Sequence, residues 1–199
     1  PIREFLDTAA KVLETYPLGA NIYSFYKNTA EINPLPPNTV GIAPLSDSGV
    51  GILTFFGHSS SNTFDFSINE PQHFQNTGKY PTVLALGCSA GQIFSPYRSL
   101  SEAFIFEPAR GAAAFIGTST TGDLFALGAL LQEIYQHFNT LPHPRLVGEA
   151  LRDAYRAFST RVSVFERALI QTTILHGDPA LRLPFSPGPD FTFDSTSIR

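Results

Sequence analysis

Three short runs are apolar at consecutive positions and each closes on glycine. They are Gly51-Ile52-Leu53-Thr54-Phe55-Phe56 before Gly57, Pro81-Thr82-Val83-Leu84-Ala85-Leu86 before Gly87, and Gly111-Ala112-Ala113-Ala114-Phe115-Ile116 before Gly117. A strand with one wet face alternates apolar and polar residues, whereas a strand covered on both faces does not. The runs are separated by segments of helical spacing. This order predicts an α/β fold, a layer sheet that is mainly parallel. In such sheets ligands gather outside the carboxyl ends of the strands. The residues that follow each run therefore matter most.

The rest of the chain is read around those runs. Residues 3–15 carry Phe5, Leu6, Ala9, Val12 and Leu13 at helical spacing before Pro17, and residues 20–26 read as a short strand. Residues 33–48 read as loop, and 59–79 as a long loop with one helical turn. Ser99-Leu100-Ser101-Glu102 has the capping-box pattern and opens a helix through Phe106. Asp123 caps a helix to His137 with a stripe of Leu124, Leu127, Leu130, Leu131, Ile134 and Phe138. Further helices are expected over about 145–158 and 162–174, then Gly177-Asp178-Pro179 and a final strand Ala180–Leu183. Residues 1–185 form one domain in this reading and 186–199 a tail or linker.

Composition removes several classes of function. The chain has 199 residues, enough for one real core, and 15% are charged with a net charge of −4. No basic stripe interleaves with aromatics, which argues against nucleic acid as the partner. No apolar run is long enough to cross a bilayer. Cys88 is the single cysteine, so neither an intrachain disulfide nor a multi-cysteine zinc site is available. The chain begins at Pro1 rather than Met and is read as part of a longer or processed protein.

The first run ends in Gly57-His58-Ser59 and the second in Gly87-Cys88-Ser89-Ala90-Gly91. A thiol attacks a carbonyl carbon as thiolate, and near neutral pH an imidazole beside it takes the proton. If the two runs are neighbouring strands, their tips lie about 5 Å apart. The small-residue turn after Cys88 offers successive backbone N–H groups to a thiolate or an oxyanion. Taken singly, a lone cysteine is usually a small hydrophobe and a lone histidine a satisfied hydrogen-bonder. The two together, each at a glycine-flanked strand tip, favour chemistry.

Those motifs, with Gly111–Gly117 and the terminal Gly177-Asp178-Pro179-Ala180-Leu181-Arg182-Leu183, resemble the gingipain-type cysteine peptidases, family C25 of the caspase-like clan. The likeness covers about residues 50–185. It implies a three-layer caspase-like sandwich, with an amino-terminal part of the sheet upstream of Pro1. It implies peptide-bond hydrolysis by Cys88 as nucleophile and His58 as general base and then acid. The oxyanion hole it implies is built from the backbone N–H of Cys88 and of Ser59, where the family commonly has glycine. No cofactor is required. Relatives bind structural calcium, but no ligand set is readable here, and no metal ligands are assigned. The implied partners are a peptide or protein substrate and other segments of the full-length chain. The implied location is secreted or on the surface of a Bacteroidetes-type bacterium, by type IX secretion. Two other functions fit the same residues: a sortase-like transpeptidase of that route, and a non-catalytic caspase-like scaffold or binding module.

Other residues are weighed against plainer roles. Thr118, Ser119 and Asp123 follow the third run on the same rim and line a candidate substrate pocket, where Asp123 would favour a basic side chain; a helix cap explains Asp123 equally well. Asp65 and Glu70 carry the same ambiguity. Asp178 and His176 read as structural, Glu102 as a cap, and His73, His137 and His143 have no metal-ligand spacing.

Overall fold

The computed structural model describes residues 1–27, 42–65, 68, 71–141, 145–160 and 163–183. The tail 186–199, Glu70 and His143 lie outside them, as does most of the loop expected over 33–48. The elements run α1 (Ile2–Glu14), α2 (Ile42–Ser48), β1 (Ile52–Phe56), β2 (Thr82–Leu86), α3 (Leu100–Ile105), β3 (Ala114–Thr118), α4 (Leu124–Phe138), α5 (Val147–Ser159), α6 (Val164–Thr172) and β4 (Thr173–Gly177). A single 3-10 turn, Pro71–His73, interrupts the long loop after β1.

The three apolar runs become β1, β2 and β3, paired in parallel and in chain order. Every residue of β2 and β3 is buried. Alternation divides their side chains between two cores. Phe56, Leu84, Leu86 and Ile116 pack with residues of α1, α4, α5 and α6, including Leu130, Leu131, Ile134, Phe138, Leu151 and Phe158. Phe55, Val83, Ala85 and Phe115 pack on the opposite face with Leu100 and Phe104 of α3, Ile42 of α2, and Phe64 and Phe74. Helices therefore cover both faces, and the unbroken apolar runs have their cause in that double burial.

The helix starts follow their caps. Ser99 accepts the Glu102 N–H while the Glu102 carboxylate accepts the Ser99 N–H at 2.7 Å, closing the capping box. The Ser99 N–H, and then the Ser99 hydroxyl at 2.8 Å, donate to the Glu102 carboxylate and hold it below its ordinary pKa. Asp123 accepts the N–H groups of Phe125 and Ala126 at 3.1 and 3.0 Å and opens α4.

Four expectations are corrected. The described part of the loop expected over 33–48 is helical, as α2. Residues 20–26 are not a strand. Tyr26 bonds to α1 instead: its hydroxyl donates to Asp7, and Arg3 stacks over its ring. The helix expected to reach 174 stops at Thr172, and the β-branched Thr173-Ile174 opens β4, which pairs antiparallel with β3 from Thr118↔Thr173 to Ala114↔Gly177. The strand expected over Ala180–Leu183 is a turn with one isolated bridge, Leu146↔Arg182.

Candidate active site

The register of β1 and β2 aligns Phe56 with Leu86, and the Gly57 N–H donates to the Leu86 carbonyl at 3.2 Å. His58 and Cys88 each stand two residues beyond that aligned pair. They thus follow the carboxyl ends of two adjacent parallel strands. His58 is exposed and Cys88 half-buried, so both reach solvent at the rim.

The two tips touch through Ser59. Its hydroxyl donates to the Cys88 carbonyl at 2.8 Å. Gly87 makes this possible, because a Cβ there would collide with the Ser59 hydroxyl and lie 2.7 Å from the Gly57 carbonyl oxygen.

Beyond β1 the chain bends at Gly57. Ser59 faces Phe64 in an antiparallel bridge closed by Ser60 N–H to Thr63 O at 2.8 Å and Asp65 N–H to His58 O at 2.9 Å. This makes Ser59↔Phe64 a non-hydrogen-bonded pair, whose own N–H groups point outward from the ladder. The positive-φ residues other than glycine are Ser89 and Ala109 among the described residues, so serine sits at position 59 without left-handed strain. Phe64, stacked 4.2 Å from Phe55, anchors the bridge in the core.

The turn after Cys88 is fixed from β3 and β4. The Thr118 hydroxyl donates to the Gly87 carbonyl. The Ser89 N–H donates to Thr120 O at 2.9 Å, the Gly91 N–H to Thr118 O at 2.7 Å, and the Gln92 N–H to Ser89 O at 3.0 Å. His176 on β4 meets the Gly91 carbonyl through Nε2 at 3.2 Å. Ser89 takes φ of +57°, a left-handed value that costs an L-residue about 1–2 kcal/mol. Neither the N–H of Cys88 nor that of Ser59 finds an acceptor among the described residues.

The other candidates fall into place around this rim. Thr118 is fully buried and Ser119 nearly so, with the Ser119 N–H on Thr172 O at 2.7 Å; Asp123 is the exposed member of that trio. Asp65 binds the histidine arm through its backbone, and Lys27 Nζ donates to its carbonyl at 3.1 Å. Asp178 accepts the Ala180 N–H at 2.8 Å, as its turn role requires. His137 pairs with Glu133 at 3.4 Å, and His73 is exposed on the 3-10 turn. Among the described residues no three His, Cys, Asp or Glu side chains group as a metal site. A cleft of about 1140 Å³ runs from α1 and residues 20–27 across β1 to His58.

The Ser59 strap, the Thr120 acceptor and the His176 contact were not anticipated from sequence. Their only signal is the abundance of small hydroxyl residues at both tips and after β3.

The model of peptidase family C25 matches residues 3–184, nearly the whole chain. The chain belongs to family C25. Its fold is that of solved family structures. The complex of Porphyromonas gingivalis RgpB pro- and mature domains superposes with a TM-score of 0.76 at 15% identity, over 90% of this C25 chain and 43% of that one. The crystal structure of the Arg-specific cysteine proteinase gingipain R (RgpB) gives 0.77 at 17% identity, over 91% and 42%. A structure described only as a protease gives 0.61 at 14% identity, over 74% and 38%. This C25 chain thus spans less than half the length of the gingipain chains it matches, and it carries their caspase-like sandwich. No curated protein matches it in sequence. No helix among the described residues is long and apolar enough to cross a membrane.

Proposed function

We propose that this chain is the part of an exported C25 cysteine endopeptidase that supplies its nucleophile and base. The observation that supports the reading is the parallel pairing of β1 and β2, whose carboxyl ends are followed by His58 and Cys88, with Ser59 bonded to the Cys88 carbonyl. Cys88 attacks the scissile carbonyl carbon as thiolate, and His58 receives the thiol proton. The developing oxyanion sits against the open N–H groups of Cys88 and Ser59. His58 then gives its proton to the leaving amine, and the acyl-cysteine is released by water that His58 deprotonates. The substrate is a polypeptide, and the site is expected to work at the surface of, or outside, a Bacteroidetes-type bacterium.

The test is alkylation of Cys88 by iodoacetamide across a pH range, in the wild type and in His58→Ala. The expected result is fast labelling that persists below the pH at which an ordinary thiol ionises, near 8.5, and slows at least tenfold in His58→Ala. Equal rates in the two proteins, with the ordinary thiol pH profile in both, would overturn the dyad and leave a binding module on this fold.

A further inference from the structure

Ser59 stands where the two arms meet, and it holds one particular peptide unit. The carbonyl of the Cys88–Ser89 peptide accepts the Ser59 hydroxyl at 2.8 Å, and the N–H of the same peptide donates to Thr120 O at 2.9 Å. A peptide unit is a rigid plane, so bonds at its two ends fix its rotation. The soft torsions flanking it are ψ of Cys88 and φ of Ser89. The second is held at +57°, a value from which an unrestrained L-residue relaxes to negative φ. Release of the carbonyl end lets that relaxation begin, and it turns the Cys88 backbone from which the sulfur projects.

We propose that Ser59 is a positioning residue for Cys88: its hydroxyl locks the Cys88–Ser89 peptide plane and thereby aims the sulfur at His58. The proposal deepens, and rests on, the reading of Cys88 and His58 as nucleophile and base. The geometry is specific to one small hydroxyl side chain. Gly87 leaves it room, since a Cβ there would meet the hydroxyl itself. The Ser59 backbone is pinned independently by the Phe64 bridge, so truncating the side chain leaves the arm in place. The Ser59 hydroxyl holds the Cys88 carbonyl, and its N–H finds no acceptor among the described residues.

The experiment compares iodoacetamide alkylation of Cys88 against pH in the wild type, Ser59→Ala, Ser59→Thr and His58→Ala, with thermal unfolding of each. Loss of one hydrogen bond of this kind is worth about threefold to tenfold in rate at neutral pH. Ser59→Ala is expected to slow labelling by that factor and to move the pH midpoint of labelling upward, with His58 still required. Ser59→Thr, which keeps the hydroxyl, is expected to restore most of the rate. A purely structural role would lower the unfolding midpoint and leave the labelling profile where it was. Ser59→Ala labelling like the wild type, while His58→Ala still slows it, would overturn the Ser59 proposal alone. An equal loss in the Ala and Thr variants would also overturn it, by assigning the effect to packing. Failure of the underlying dyad is distinguished by His58→Ala matching the wild type.

Discussion

His176 turns its Nε2 onto the carbonyl oxygen of Gly91, 3.2 Å away, and so ties the edge strand β4 to the turn that begins at Cys88. The ring also lies edge-on to Phe115, with centroids 6.3 Å apart. Burial lowers the pKa of His176, and this outweighs the Gly91 bond and the Glu102 carboxylate, which both favour the charged form. The folded state therefore binds the proton more weakly than the unfolded chain does. Stability contributed by neutral His176 is fully present above the unfolded histidine value of about 6.5 and is lost progressively as pH falls below it. The thermal midpoint is expected to drop through that interval. His176→Gln, which keeps a donor for Gly91 and does not titrate, is expected to flatten the drop. Unfolding scans between about pH 5 and pH 8 check it; equal slopes in the two proteins would count against His176 as the source.

The same turn leans on β3 through two glycines. A Cβ on Gly91 would lie 2.6 Å from the Gly117 carbonyl oxygen, and one on Gly117 would lie 3.0 Å from the Gly91 nitrogen. These contacts are with backbone, so rotamer changes give no relief. Gly91→Ala is expected to destabilise the protein by about 1–3 kcal/mol, the usual scale of overpacking, and to disturb the Gly91 N–H to Thr118 O bond of 2.7 Å. Denaturant unfolding gives the first number. Cys88 alkylation gives the second effect, with a larger loss of rate than the stability change alone produces at temperatures where the variant is fully folded.

Asp123 separates a structural role from a substrate role. Its carboxylate accepts two N–H groups at the start of α4 through Oδ1. Asp123→Ala is expected to cost about 1 kcal/mol. Asp123→Asn keeps an accepting oxygen and is expected to recover most of that stability while removing the charge. Peptide libraries with acidic, neutral and basic residues before the scissile bond, cleaved by the wild type and the Asn variant, then read the charge by itself. If Asp123 lines the pocket, the Asn variant loses preference for basic residues at nearly unchanged stability. Identical cleavage profiles assign Asp123 to capping alone.

The parts of this molecule that were readable from sequence are those that local chemistry dictates. β1, β2 and β3 announced themselves because burial on both faces forces unbroken apolar runs. Ser99, Glu102 and Asp123 did so because helix ends need side-chain acceptors. β4 was hidden because Thr172-Thr173-Ile174 continues the apolar spacing of α6, and only pairing with β3 decides where the helix stops. Residues 20–26 were over-read for the opposite reason. Their aromatics have strand character, but Tyr26 is engaged by Arg3 and Asp7 of α1 and Tyr23 is left exposed. His58 and Cys88 were visible as strand tips. The bonds that organise them were not, because Ser59 and Cys88 are 29 positions apart and Gly91 and His176 are 85 apart, so each contact depends on sheet register.

Gly87 and Ser59 are expected to behave as a coupled pair. A methyl group on Gly87 would meet the Ser59 hydroxyl, the Ser59 Cβ at 3.1 Å and the Gly57 carbonyl oxygen at 2.7 Å. Gly87→Ala alone therefore strains both tips at once and is expected to lower stability and Cys88 labelling together. Ser59→Gly removes the first two contacts and leaves the third. The double variant Gly87→Ala, Ser59→Gly is thus expected to be more stable than the sum of the single changes, by roughly 0.5–2 kcal/mol, the range seen for residues in direct contact. Its labelling rate should stay low, because the hydroxyl that holds the Cys88 carbonyl is gone. Additive stabilities in denaturant titrations would show that the tips give way elsewhere, through the backbone of Gly57 instead of the Ser59 side chain. Recovery of the labelling rate together with stability would show that packing at Gly87, and no hydrogen bond, governs the sulfur.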